Sequence, residues 1–306
     1  MMHLEKTFLR GSFPPLVTPF RTGEVDLNKF AELVEVQVQQ GSHGIVVTGT
    51  TGEPSSLSVE ERIELLKVAV SVAAGRIQVI GATGSQSFAE TAHLTEQAQA
   101  AGADAVLVVT PYYIKPPQRA LVEYFIRLGE RIDLPMMIYH IPGRAAVSIK
   151  AQTVMRIAEK LPHLVGLKHA DQNLELITEL LIGLGSEFRL FCGVEALSFP
   201  MLLLGGSGLM NAVGNIAPAR VAALYSATQA GDFKRAHEIH TELFEINQSV
   251  FIETNPIPLK YMMYRLGLLP APELRIPLVS IEQAHAKTLD AVLARAGMLP
   301  SAALAS

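Results

Sequence analysis

The sequence predicts an α/β chain folded as a (β/α)8 TIM barrel with a helical extension at its C-terminus, on three observations. Short apolar, β-branched runs alternate with longer helical patterns through the first three quarters of the chain, the signature of repeated βα units and a parallel sheet. Eight such runs are legible, which favours a closed barrel, although the count alone does not exclude a doubly wound sheet. Beyond Gly231 the strand signal stops and only helical patterns remain. The expected organisation is a barrel over residues 1-230 and a helical extension over 231-306.

In chain order the expected strands are Leu16 to Thr18, Gly44 to Thr48, Gln78 to Gly81, Ala105 to Thr110, Met136 to Tyr139, Leu164 to Lys168, Arg189 to Cys192 and Gly208 to Ala212. The helix after Asp26 places Leu27, Phe30, Leu33 and Val34 on one face, so it can cover a barrel wall. Ser58 with Glu61, and Ser87 with Glu90, have the spacing of capping boxes and mark the two firmest helix starts. A later helix near Leu174 aligns Leu174, Ile177, Leu180 and Leu181. In the extension, helical patterns run from Asp232 to Leu268 and from Ser280 to Ala296, broken by Asn255-Pro256-Ile257-Pro258 and by Pro270 to Pro277. The Ala-rich end after Pro300 is expected to fray.

Composition narrows the function classes. A formal net charge of -4 with 18% charged residues and no block of like charge leaves no footprint for nucleic acid or an acidic membrane. A small neutral or anionic substrate is the default. Met1 to Arg10 lacks the apolar core of a secretory signal, and the run Phe199 to Leu204 is broken by Gly205 and Gly206 far short of a bilayer span. One cysteine, Cys192, excludes an internal disulfide framework and fits a reducing compartment, so a cytoplasmic location is expected.

Active sites of such barrels lie at the C-terminal ends of the strands, so the residues that finish each run matter most. The sixth run ends in Lys168. Burial there disfavours the ammonium and leaves a nucleophilic amine able to condense with a carbonyl; the plainer reading is a lysine paired with a carboxylate. The fifth run ends in Tyr139, and Pro111-Tyr112-Tyr113 follows the fourth. A phenol can shuttle protons around an imine, although a buried tyrosine is more often core. After the second run, Gly49-Thr50-Thr51-Gly52-Glu53 allows a sharp turn whose amides and hydroxyls suit a carboxylate; an ordinary βα turn is the alternative. Arg144 can hold a second carboxylate or simply be solvated. Gly205-Gly206-Ser207-Gly208 precedes the eighth strand and reads as a tight turn at the opposite face. His43, His140 and His169 lack metal-site spacing, although strand ends can bring His140 and His169 together.

These residues carry a resemblance. Thr18-Pro19-Phe20, Gly49-Thr50-Thr51-Gly52-Glu53, Thr110-Pro111-Tyr112-Tyr113, Tyr139-His140-Ile141-Pro142-Gly143-Arg144, Gly166-Leu167-Lys168 and Asn255-Pro256-Ile257-Pro258 span almost the whole chain. The chain resembles the dihydrodipicolinate synthase and N-acetylneuraminate lyase family of class I aldolases. That resemblance implies a barrel in which Lys168 binds pyruvate as an imine, Thr51 with neighbouring amides such as that of Gly49 holds its carboxylate, and Tyr139 is the acid/base. It further implies that Thr50 links Tyr139 to Tyr113 of a neighbouring subunit, that Arg144 holds the aldehyde's carboxylate, and that Met210 contacts substrate. A homotetramer of tight dimers follows, with pyruvate and an aldehyde as substrates, and the full set of Thr50, Thr51, Tyr113, Tyr139, Arg144 and Lys168 favours the synthase subgroup, whose aldehyde is aspartate semialdehyde. No metal or other cofactor is implied.

Departures from the family pattern are His140 for asparagine, Ala145 for threonine, His169 for glutamate and Val194-Glu195 for an acidic pair. They keep open a catabolic aldolase or dehydratase of the same family acting on a sugar- or aromatic-derived 2-oxo acid. A metal-dependent barrel using the histidines and a non-enzymatic ligand-binding relative are the remaining alternatives. Val59, Arg62 and Gln86 stand where lysine-inhibited relatives carry two histidines and an asparagine, while Glu90 and Tyr112 remain, so weak or absent inhibition by lysine is expected.

Overall fold

Each β-branched run pairs in parallel with its neighbours, and the helices between them supply the cover that a parallel sheet needs on its outer face. The computed structural model describes residues 2–299. Its barrel strands are β1 (Gly11–Ser12), β2 (Gly44–Val47), β3 (Gln78–Ala82), β4 (Ala105–Val109), β5 (Met136–His140), β6 (Leu164–His169), β7 (Arg189–Cys192) and β8 (Gly208–Leu209). They are hydrogen-bonded in the order β1-β8-β7-β6-β5-β4-β3-β2, and a parallel bridge between Pro15 and Val46 closes the ring. The expected (β/α)8 barrel is therefore the observed fold.

Two strand expectations need correction. Leu16 to Thr18 is not the first strand; the paired residues are Gly11–Ser12. Pro14 and Pro15 have no N–H to give a ladder, so this segment joins β2 only through Leu16 N to Val46 O at 2.9 Å and Val46 N to Pro14 O at 3.0 Å. The eighth strand ends at Leu209 instead of reaching Ala212. There the Glu195 carboxylate takes the Ala212 N–H at 2.6 Å, and the chain turns into a 3-10 helix, Ala212–Asn215.

The covering helices are α1 (Leu27–Gln39), α2 (Val59–Ala73), α3 (Phe88–Ala100), α4 (Gln118–Gly129), α5 (Ala151–Lys160), α6 (Glu175–Leu184), α7 (Ser198–Leu203) and α8 (Pro218–Gln229). Asp26 caps α1, and Phe30, Leu33 and Val34 are buried beneath it. Ser58 and Glu61 form the full reciprocal capping box of α2. Ser87 caps α3 through the Glu90 amide alone, while the Glu90 carboxylate faces Arg62. Inside the barrel Leu9, Phe13, Val46, Ile80, Leu107, Val165, Phe191 and Met210 form one cluster, which Tyr139 joins. At the N-terminal mouth the fully buried Arg189 donates to Phe8 O at 3.0 Å and Glu5 O at 3.2 Å, which ties the leading segment across the barrel floor.

After α8 the chain turns at Gly231 into α9 (Phe233–Ser249), α10 (Ile257–Arg265) and α11 (Gln283–Arg295). The break before α10 falls at Asn255-Pro256, as the prolines predict. This segment returns to the C-terminal mouth of the barrel. The end after Pro300 lies outside the described residues. Among the described residues no helix is long and apolar enough to cross a membrane.

Candidate active site

Strand register decides which side chains share a face. Tyr139 pairs with Lys168 across β5 and β6, and His140 pairs with His169 one residue on. Side chains alternate along a strand, so Tyr139 and Lys168 point into the barrel and the two histidines point to its outer face. Lys168 is 5% exposed, and its Nζ lies 4.3 Å from the centre of the Tyr139 ring. Among the described residues it forms no ion pair, so the reading of a lysine neutralised by a carboxylate finds no partner. Gly193, just past β7, makes room for it. A Cβ at that position would stand 2.8 Å from Lys168 Cε, closer than real contacts allow.

The Tyr139 hydroxyl lies 3.4 Å from Thr50 Oγ1, either oxygen being able to donate. Thr50 belongs to a 3-10 turn, Thr50–Gly52, that follows Gly49. The amides of Gly52 and Glu53 close it on Gly49 O and Thr50 O, at 2.8 Å and 3.2 Å. The amides at its start have no acceptor within the turn, as at any helix start. Glu53 ends the turn in the left-handed region, at φ 56, and swings its carboxylate into the interior. There it forms an ion pair with Lys260 of α10, both side chains being fully buried. Burial pushes Glu53 up from the ordinary carboxylate range, with Lys260 pulling the other way, and burial pushes Lys260 down to about 8.

Thr51 is buried beside Asn255, whose Nδ2 donates to Thr51 Oγ1 at 3.0 Å. The Asn255 carbonyl accepts from Arg144 Nη2 at 3.4 Å. Arg144 itself stands on a single helical turn, Pro142–Ala145, at the end of β5. Gly49, Thr50, Tyr139, Arg144 and Asn255 line one cavity of about 680 Å³, which extends to Arg62, Glu90 and Tyr112. Met210 lies within the barrel interior, 1% exposed, its N–H donating to Cys192 O at 2.8 Å. The fold thus gathers Gly49, Thr50, Thr51, Tyr139, Arg144, Lys168 and Met210 at one end. Tyr113 stands apart: it is 83% exposed at φ 74 and forms no hydrogen bond with Thr50 or Tyr139.

Other polar groups surround this centre. Burial pushes the Glu195 carboxyl up to about 7, against the pull of backbone amides and of the Lys168 charge. The outward histidines stack at 5.3 Å and share an Nδ1···Nδ1 contact of 3.2 Å, and His140 Nε2 reaches Ser148 Oγ at 3.3 Å. Burial and then the neighbouring His169 bring His140 down to about 4, with Asp171 opposing; burial lowers His169 as well. Their side chains face away from that of Lys168. Among the described residues no group of three or more His, Cys, Asp or Glu is arranged to hold a metal ion.

Three site residues were not singled out by residue type: Asn255, Lys260 and the carboxylate of Glu53 as an inward anchor. The signal available was the helix break at Asn255-Pro256, which marks a special backbone without saying what it approaches.

The chain as a whole is similar to known proteins. The model of the dihydrodipicolinate synthetase family matches residues 8–296. A 4-hydroxy-tetrahydrodipicolinate synthase of Thermus thermophilus is 44% identical over 292 residues, covering 95% of this chain and 97% of the relative. The crystal structure of dihydrodipicolinate synthase from Aquifex aeolicus superposes with a TM-score of 0.93 at 39% identity, covering 94% of this chain and 98% of that one. A chloride-inhibited dihydrodipicolinate synthase from Acinetobacter baumannii, solved in complex with pyruvate, gives a TM-score of 0.92 at 34% identity, with 95% and 100% covered. With a family match over nearly its full length and the lysine, tyrosine and paired threonines gathered at one barrel mouth, this chain belongs to the dihydrodipicolinate synthetase family.

Proposed function

We propose that the protein is a 4-hydroxy-tetrahydrodipicolinate synthase, a lysine Schiff-base lyase that condenses pyruvate with aspartate semialdehyde. The observation that carries this reading is Lys168, buried without an ion-pair partner among the described residues, its Nζ over the ring of Tyr139, whose hydroxyl faces Thr50. The Lys168 amine adds to the keto carbon, and loss of water leaves an imine. The protonated imine nitrogen then draws electrons as the methyl group gives up a proton, and the resulting enamine carbon attacks the aldehyde, whose oxygen takes a proton to become a hydroxyl. The amine of the former aldehyde adds to the imine carbon and expels the Lys168 amine, which closes the ring and frees the lysine. Tyr139, with Thr50 behind it, is the group placed to carry those protons. Thr51 and the amides of the Gly49–Thr51 turn hold the carboxylate next to the imine, and Arg144 at the mouth holds that of the aldehyde. Met210 packs beneath as apolar floor. The outward orientation of His140 and His169 removes the main ground for a sugar- or aromatic-derived substrate.

Tyr113, exposed on a loop with a left-handed backbone, completes the proton path by reaching into a neighbouring subunit of a homotetramer. At the far end of the cavity the Arg62 guanidinium lies 3.5 Å from Glu90 and so opposes a second cation there, and inhibition by lysine is correspondingly weak. Borohydride added with pyruvate should reduce the imine and fix its mass on the peptide that carries Lys168, and aspartate semialdehyde should be the best aldehyde acceptor. Labelling elsewhere, or faster turnover with another aldehyde, overturns the assignment.

A further inference from the structure

We propose that Asn255 is a positioning residue that aims the Thr51 hydroxyl at the carboxylate of the 2-oxo acid. The inference rests on the reading of Lys168 and Thr51 above. Asn255 is 6% exposed and belongs to the C-terminal segment, yet its side chain reaches the turn after β2. A threonine hydroxyl has one hydrogen to donate and lone pairs to accept with. Because Asn255 Nδ2 donates to Thr51 Oγ1 at 3.0 Å, that oxygen already accepts one hydrogen bond and its own hydrogen is left to donate.

The same residue accepts from Arg144 through its carbonyl at 3.4 Å, so one backbone position touches the holders of both carboxylates. Its Oδ1 is buried without a hydrogen-bond partner among the described residues, and the bond to Thr51 is what fixes the amide. The direction of this bond matters chemically. An aspartate at 255 only accepts, so Thr51 would turn its hydrogen toward residue 255 and present lone pairs, beside a new negative charge, to the ligand.

The test compares the concentration dependence of borohydride trapping at Lys168 for pyruvate and for acetone, a ketone with no carboxylate. For Asn255→Asp the half-saturating pyruvate concentration should rise by about tenfold or more, the scale of a lost charge-assisted hydrogen bond, while acetone trapping is unchanged. Asn255→Ser, which keeps a donor, should lie between that variant and the parent. In the Thr51→Val background, Asn255→Ala should add no further loss for pyruvate, because the hydroxyl through which it acts is gone. A pyruvate response within about twofold of the parent for Asn255→Asp refutes the proposal. So does an equal loss for acetone, or an undiminished effect of Asn255→Ala on Thr51→Val. Failure of the parent protein to trap pyruvate at Lys168 would instead bring down the functional reading and this inference with it.

Discussion

Replacing Lys260 by methionine should destabilise the protein by about 3–5 kcal/mol, because it strands the Glu53 carboxylate in the interior. Both side chains are fully buried in the ion pair, and Lys260 Nζ also donates to Glu273 O at 2.8 Å and lies 4.2 Å from the centre of the Phe20 ring. Among the described residues the remaining support for Glu53 comes from Arg275, through its N–H at 3.3 Å and the attraction of its charge. Burial shifts each partner toward its neutral form, Glu53 up and Lys260 down, in spite of their mutual attraction. Desolvation therefore outweighs the attraction, and the pair is worth little against an apolar replacement of the same shape, while breaking it from one side is severe. Set beside a total stability of about 5–15 kcal/mol, the single substitution is a large loss. The double variant Glu53→Gln, Lys260→Met should recover most of it, leaving about 1–2 kcal/mol for the donor lost to Glu273 O. Urea unfolding followed by circular dichroism measures both, with an unchanged slope identifying the shift as one of stability. A single variant within about 1 kcal/mol of the parent, or a double variant as unstable as the single one, would refute this account of the pair.

Three further outcomes are expected. Tyr139→Phe should lower kcat by about 10²–10⁴ while borohydride still labels Lys168 slowly with pyruvate; retention of more than half the parent kcat would remove the phenol from the proton path. Gly193→Ala places a methyl 2.8 Å from Lys168 Cε, so imine formation should slow by about tenfold or more while urea unfolding changes little, and equal rates of trapping would show that the lysine has slack to move. His140 is held below its ordinary value, at about 4, so between that value and about 6.5 the unfolded chain binds the extra proton; the stability its neutral form contributes is present above about 6.5 and is lost as pH falls toward 4, by roughly 3 kcal/mol at most. Unfolding midpoints across that range should flatten in His140→Asn, and an unaltered acid slope would assign the loss to other groups.

The departures between expectation and structure share a physical origin. Period-2 apolar runs and capping serines report on neighbours a few residues away, and the strands from Gly44 to Cys192 and the starts of α1, α2 and α3 lie within a residue or two of where those signals put them. The first and eighth strands missed because their lengths depend on remote partners: prolines that give no ladder bond at one, and the Glu195 carboxylate capturing the Ala212 amide at the other. Strand alternation, already latent in the order Lys168-His169, turned the histidines outward once the register of Tyr139 with Lys168 was set. By itself the sequence determined the barrel, its eight-fold alternation and the lysine, tyrosine and threonines at the strand ends, because hydrophobic periodicity and strand-end position are local properties of the chain. Only the tertiary structure decided that Asn255 and Lys260 return across some two hundred residues to brace the turn after β2, with Asn255 Nδ2 hydrogen-bonded to Thr51 at |i−j| of 204. Such contacts arise when a burial-driven fold brings distant polar groups into the same dry space, where each must find a partner, and no local pattern encodes which partner it meets.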